Sequence, residues 1–352
     1  IEDGTLAEPG KSYKLEDAIK IVGTCDAMCS TFERWDRILT NTVDPWEYHP
    51  SQGQTPIYDE SRMVKRFRRP AAGSDDQIPS DLRPPTTLKE TVDHLMQTIA
   101  PNGLENTHSF IFDRTRAVRN DFSIQSPEDE EGVSLSMDCF EQIAVWHILS
   151  LHHCSRWLHP KGERYHYEWF LDRAQAVNAF TSLIYLYADH HQTYLSPREP
   201  EMCALVLNIN LMDMSFNYKA RTGYFPPQVW NDPMVRRAVK LRETFEADVK
   251  GPRYSKFWDG RDVPKLINPA DPESFWKELE QKEYTYLEAC ALEVAFYNVR
   301  LHYLNIIKKS SKRESKNPFA PQDNDEWTVE NLQALLGFDS PDHTREFLTT
   351  HD

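Results

Sequence analysis

Apolar residues recur every third or fourth position along most of the chain beyond residue 85, the spacing of amphipathic helices. The clearest stripe is Leu88, Val92, Leu95, Met96 and Ile99, opened by Thr87 and Glu90 in a capping-box pattern. Pro101-Asn102-Gly103 ends that helix, a second covers Glu105 to Phe122, and the acidic loop Pro127 to Gly132 follows. Further stripes predict helices near 137–158, 168–189, 199–220, 232–249, 272–282 and 284–309. Asp232-Pro233 and Asp271-Pro272 each place a capping carboxylate before a proline at the first helical position, where a missing N–H costs nothing. Starts at 137, 168, 201 and 232 are spaced for an irregular solenoid of stacked helices resembling tetratricopeptide repeats, with a compact bundle as the alternative. The fold class is therefore all-α. The stripe from Cys203 to Met214 and the tyrosine-rich 284–304 helix carry more apolar residues than one solvent-facing helix needs, which predicts a surface that a partner covers.

Both ends read differently. Residues 1–85 are rich in proline and short charged runs, with one amphipathic stretch, Phe32 to Val43, that predicts a helix of about three turns. This segment is expected to be an extended arm, closed by Pro79 and Pro84-Pro85. The helical repeat region is then 86–309, and 310–352 a further element. After the basic linker Lys308 to Pro321, a helix from Val329 to Leu336 stops at Gly337 and Ser340-Pro341 starts another, a helix-turn-helix pattern. No wing strands follow before Asp352, so the expectation is a winged-helix portion without its wing.

Composition narrows the classes. Aromatic residues make up 12% and charged residues 27% of the chain, which suits a folded protein rather than a disordered one. A net charge of −15 makes the whole chain a poor generic binder of polyanions, so nucleic acid must be met by local basic patches. Six irregularly placed cysteines do not form a disulfide framework and point to a reducing compartment. No apolar run reaches about 18 residues. The Ile1-Glu2-Asp3-Gly4 start lacks an initiator methionine and a signal-peptide pattern, so a piece of a longer chain is expected.

Arg62, Lys65, Arg66, Arg68 and Arg69 surround Phe67 in the densest basic cluster. Guanidinium forks beside an aromatic plane suit phosphate, base stacking or an acidic partner groove, although a solvated face explains many charge runs. Arg114, Arg116 and Arg119 lie on a predicted helix with Asp113 and Asp121 close by, and structural pairing is the better reading there. Lys308, Lys309, Lys312 and Arg313 are candidates for phosphate contact, and His343 and Arg345 face nucleic acid if theirs is a recognition helix. Cys25 and Cys29 with His49 fall short of the four ligands of a structural zinc site, and their sulfurs are expected to pack as small hydrophobes. Paired histidines at 152–153 and 190–191 point to different helical faces, wrong for one metal. No G-x-S-x-G, Walker A, H-E-x-x-H or Gly-rich dinucleotide loop occurs, so no catalytic residue and no cofactor is assigned.

Three blocks resemble the GANP family, called SAC-three in yeast: Gly23-Thr24-Cys25-Asp26-Ala27-Met28-Cys29 with Phe32-Glu33-Arg34; Met63 to Gly73 with Pro79 to Pro85; and Asp113 to Asp121. Weaker similarity continues through Tyr286 to Cys290 and Val299-Arg300 to Leu335–Ser340. Asp26 and Ser30 stand where the family usually has proline after each cysteine. The resemblance implies the middle region of the TREX-two messenger-RNA export scaffold, of fungal type: a PCI-like helical repeat ending in a winged helix, without catalysis. It further implies a PCI-domain partner, a small acidic DSS-one-like protein, the export DEAD-box ATPase, nucleic acid of low sequence specificity, and a place in the nucleus at the envelope and pore. The alternatives are a GANP-like paralogue in splicing or messenger-RNA stability and, from another class, a metal-dependent enzyme using Cys and His.

Overall fold

Helices form where the apolar stripes lie. In the computed structural model, which describes residues 21–50, 57–69, 78–154, 167–211, 225–246, 254–256, 262–264, 272–280, 283–314 and 327–351, the chain divides into two compact units, residues 1–197 and 198–352.

In the first unit, α1 (Thr31–Leu39) starts at Ser30, whose hydroxyl accepts the Glu33 N–H. Next comes α2 (Pro85–Asp93), with Pro85 at its first position. The expected capping box does not form: Thr87 is buried inside the first turn, because Pro84-Pro85 already fixes φ and starts the helix earlier. This helix widens into a π turn (His94–Ile99) and tightens again at Ala100–Asn102, around Pro101. Then follow α3 (Leu104–Gln125), α4 (Glu130–Cys154) and α5 (Trp169–His190). The fourth helix begins at Glu130, inside the expected acidic loop, because the Asp129 carboxylate accepts the Gly132 N–H at 3.0 Å and acidic residues suit a first turn. It is flanked by α2, α3 and α5. Val64, Leu95, Ile99, Phe110, Ile111 and Trp146 form the core beneath, each large aliphatic there adding about 1.5–3 kcal/mol by leaving water.

The described residues of the expected arm are hydrogen-bonded to one another and to this bundle. Thr24 N–H donates to the Pro79 carbonyl at 2.8 Å, Cys25 N–H to Leu82 at 2.9 Å and Lys65 N–H to Met28 at 2.9 Å. Gly23 N–H reaches Gln125 Oε1 on α3 at 2.9 Å. A Cβ at Gly23 would lie 2.5 Å from the Leu82 carbonyl oxygen, so only glycine allows this approach.

The second unit is built around α6 (Glu199–Ile209), buried on every side from Met202 to Ile209. The Cys203 to Leu211 part of the greasy stripe is thus interior to its own unit and is no surface for a partner; residues 212–214 lie outside the described residues. Around it stand α7 (Pro227–Trp230), α8 (Pro233–Glu246) and, later in the chain, α10 (Tyr286–Glu314), while α9 (Pro272–Glu280) packs on α8. The last two helices are α11 (Val329–Leu336) and α12 (Pro341–Thr350), the latter capped by Ser340. A short antiparallel ladder pairs Tyr254–Lys256 with Asp262–Pro264. Leu241, Phe275, Leu292, Val299, Tyr303 and Leu336 share one core. Lys308 to Glu314 continue α10 and are helix rather than linker.

Three helix ends in this unit are closed by cations from elsewhere. Arg242 donates to the Leu207 carbonyl at 2.9 Å and to Asn210 at the end of α6. Arg300 donates to Leu336 at 3.0 Å and to Gly337 at the end of α11. The Lys308 amine donates to the His351 carbonyl just past α12. Each satisfies carbonyls that lack an intrahelical donor and lies at the negative pole of the helix dipole.

Candidate interaction surface

The basic cluster around Phe67 is divided by the fold into an inner and an outer set. On the inside, the Lys65 amine pairs with Asp121 at 2.8 Å and donates to the Asp81 carbonyl at 2.7 Å. Asp121 is fully buried on α3, and Arg83, equally buried, takes its other oxygen at 2.8 Å. One carboxylate thus holds two cations from the preceding segment. Beside it, Glu47 receives Arg37 and, at 3.3 Å, Arg114, while the Val64 N–H donates to the same carboxylate at 3.0 Å. Arg114 also pairs with Asp113 at 2.6 Å, and Asp113 accepts the Phe67 N–H at 3.3 Å. Burial, then the neighbouring Arg114, lowers the Arg37 pKa from its usual value.

Turned outward, Arg68 and Arg69 are exposed, and Arg68 stands 3.9 Å from Asp36. Arg62 and Arg66 are half-buried, and Arg66 donates to the Thr42 carbonyl. The Arg116 guanidinium lies 3.9 Å above the Phe67 ring. The ring that sequence alone offers to a nucleic-acid base is therefore covered by a cation of the same chain. Arg119 donates to Gln175 on α5, and burial followed by the nearby Arg116 lowers its pKa to about 10. Of the arginine trio only Arg114 uses a nearby carboxylate as expected; Asp121 is held by Lys65 and Arg83 instead.

The SAC3/GANP family pattern matches residues 28–352. The chain belongs to this family. Among its relatives, SAC3 family protein 1 of Schizosaccharomyces pombe is 29% identical over 99% of this chain and 31% of its own length. Protein xmas of Drosophila melanogaster is 25% identical over 86% of this chain and 13% of its own, and SAC3 family protein B of Arabidopsis thaliana 23% over 90% and 17%. The chain spans less than a third of the length of each.

In this SAC3/GANP chain the remaining candidates are distributed as follows. His343 and Arg345 are exposed on α12, but Arg345 pairs with Asp342 at 2.9 Å and Glu346 is exposed beside them, so the face is mixed in charge. Lys308 is engaged at the end of α12, and the side chains of Lys309, Lys312 and Arg313 lie outside the described residues, although their backbone continues α10. Cys25 donates its thiol to the Ala27 carbonyl at 3.2 Å, and Cys29 packs with Val43 and Met63, where burial and then Glu33 push its thiol up to about 12. No group of three metal-ligating side chains occurs among the described residues.

Sequence reasoning missed the polar centre of the first unit. The buried carboxylate of Asp172 on α5 accepts from His147 on α4, from His108 on α3 at 3.0 Å and from Tyr167. His147 is fully buried and must donate through Nδ1, since an ionised carboxylate only accepts. Burial pushes the Asp172 carboxyl up, but hydrogen bonds from His108 and His147 outweigh it and hold it at about 2. Burial also lowers the His147 pKa, against the pull of Asp172. His108 stacks on Trp146 at 5.2 Å and meets Tyr167 edge-on at 5.2 Å, closing the site. The visible signal was an aspartate inside the apolar stripe of Ala176, Ala179, Phe180, Leu183 and Tyr187.

Proposed function

We propose that the chain is the middle region of a TREX-two scaffold, a non-catalytic subunit that joins transcription to messenger-RNA export. What carries this reading is the unbroken family match through residues 28–352, supported by relatives from a fungus, an insect and a plant aligned over most of the chain. On this reading the helical region is a PCI-like solenoid over 86–309, preceded by an arm whose described residues bond to it, and α11 and α12 begin a winged helix. Its partners are a PCI-domain protein, a small acidic DSS-one-like protein, the export DEAD-box ATPase and nucleic acid of low sequence specificity. The place of work is the nucleus, at the envelope and pore. No helix of the described residues is long and apolar enough to cross a membrane.

The fold supports the scaffold reading by how it spends its charged groups. Asp121, Glu47 and Asp172 each hold two or more partners inside the first unit, so their chemistry is committed to architecture. Exposed Arg68 and Arg69 and half-buried Arg62 and Arg66 around Phe67 are assigned to partner or nucleic-acid contact, as are Lys309, Lys312 and Arg313 of the last turns of α10, with Lys65 and Lys308 supporting them. Co-expression of the chain with the PCI-domain and DSS-one-like proteins of the same organism tests it. A stoichiometric complex on size exclusion that binds a generic RNA is expected; a chain that stays alone beside both partners overturns the proposal.

A further inference from the structure

The first helix is turned inside out. Phe32, Trp35 and Leu39 fall within an arc of about 60° on its surface, and they are 69%, 53% and 81% exposed. On the opposite face Glu33 and Arg37 are buried. Surface helices ordinarily do the reverse, with the apolar stripe inward and the charges in water.

The inversion is fixed by bonds. Glu33 accepts the Arg66 N–H at 2.8 Å and stands 3.6 Å from Arg37. Arg37 reaches Glu47 and donates to the Val64 carbonyl at 3.1 Å. Rotating the helix to hide Trp35 would strip both charges of these partners in a buried site, a far larger penalty than the exposed rings impose. The apolar face is therefore held outward as a rigid ridge about two turns long, already ordered for whatever covers it.

Charge around the ridge selects the occupant. The chain as a whole carries −15, yet the segment that meets the border of the stripe is basic: Arg68 stands 3.9 Å from Asp36, Arg69 follows it in the chain, and both are exposed. Nucleic acid suits the face less well, because Leu39, the most exposed of the three, gives a base no ring to stack on.

We infer that α1 is a docking ridge for an acidic amphipathic helix of a partner protein, which seats its apolar stripe on Phe32, Trp35 and Leu39 and its carboxylates on Arg68 and Arg69. This goes beyond the scaffold reading, because it follows from the packing of Glu33 and Arg37 and stands whether or not the chain acts in export.

The test uses the full chain and a fluorescent synthetic peptide of about 16 residues, long enough to be helical once docked. Its leucines and phenylalanines are spaced three and four apart and its flanks are glutamate. Controls are the same peptide with every glutamate changed to lysine, a scramble of equal composition, and an oligouridine RNA. Anisotropy titration should show saturable binding of the acidic peptide that weakens with salt. Affinity should fall about tenfold in Trp35→Ser and in Leu39→Ser, each removing a buried apolar contact, and several-fold in Arg68→Glu/Arg69→Glu, with thermal melting unchanged because all four side chains are exposed. No binding, equal binding of the lysine or scrambled peptide, or indifference to Trp35 and Leu39 overturns the inference. So does displacement of the peptide by oligouridine, which gives the ridge to nucleic acid. Dimerisation of the wild-type chain that Trp35→Ser abolishes overturns it in favour of a second copy.

Discussion

Asp121 shows what a single residue does here. Its two oxygens are bound to Lys65 and to Arg83 in the interior, so replacing it with asparagine leaves two cations with no anion in a place water does not reach. Asp121→Asn should cost about 3–5 kcal/mol, measured by urea denaturation. Lys65→Ala should also destabilise, whereas Arg68→Ala and Arg69→Ala should leave stability within about 0.5 kcal/mol, since neither is buried. His147 gives the pH dependence. Burial lowers its folded pKa, while an unfolded histidine titrates near about 6.5. Below that pH the unfolded chain binds a proton that the folded one refuses, so stability is full above about pH 7 and falls as pH drops through about 6.5. Asp172 acts in the same sense lower down: its folded carboxyl titrates at about 2 and an unfolded one at about 3.9, so its contribution is lost between those values. Urea denaturation from about pH 8 to 5 should trace the upper limb. His147→Asn should flatten part of it, and His94 and His351, whose pKa values burial also lowers, should keep contributing.

At the scale of elements, Gly337 ends α11 with φ of 64°, and an added Cβ would lie 2.8 Å from the Trp276 ring. Gly337→Ala should therefore destabilise by more than about 1 kcal/mol, left-handed strain and the ring clash acting together, and thermal unfolding reads it. This end was legible beforehand: Val329, Leu336, Gly337 and Ser340-Pro341 occupy the positions their local chemistry dictates. Helices α3, α5, α8, α9 and α10 also begin within two residues of the positions their stripes and caps predict. Local rules were less informative where tertiary contacts decide. The apolar spacing of Phe32 to Val43 located a helix, observed over Thr31–Leu39, but not which of its faces is buried, because the pairing of Arg37 with Glu47 and of Glu33 with the Arg66 backbone is set across the fold. The arm read as extended for the same reason: Lys65 and Asp121 are 56 residues apart, and no periodicity connects them.

For the whole molecule, the cations at the end of α10 pose two separate tests. Lys308 closes α12, so Lys308→Glu should lower the melting temperature and disturb binding only through folding. Lys309→Glu/Lys312→Glu/Arg313→Glu tests phosphate contact instead. If all three meet a single strand, the slope of log affinity against log salt should become shallower by roughly 2, at about 0.7 per contact, with the melt unchanged. A parallel salt series on wild type and variant separates the two roles, and an unaltered slope removes these residues from the nucleic-acid site.

The pairing of early with late residues also has a consequence for synthesis. Gly23 waits for Gln125, 102 positions later, and Lys65 and Arg83 wait for Asp121. At about 5–20 residues per second, the ribosome leaves the first part of the domain without its partners for several seconds. Three of the groups left waiting are charged: Glu47, Lys65 and Arg83 have partners on α3 and stay hydrated until it emerges. A greasy anchor in the same positions would spend that interval exposed to aggregation. Charged anchors are solvated through that interval and meet their partners once the helix carrying Asp113, Arg114 and Asp121 has been made.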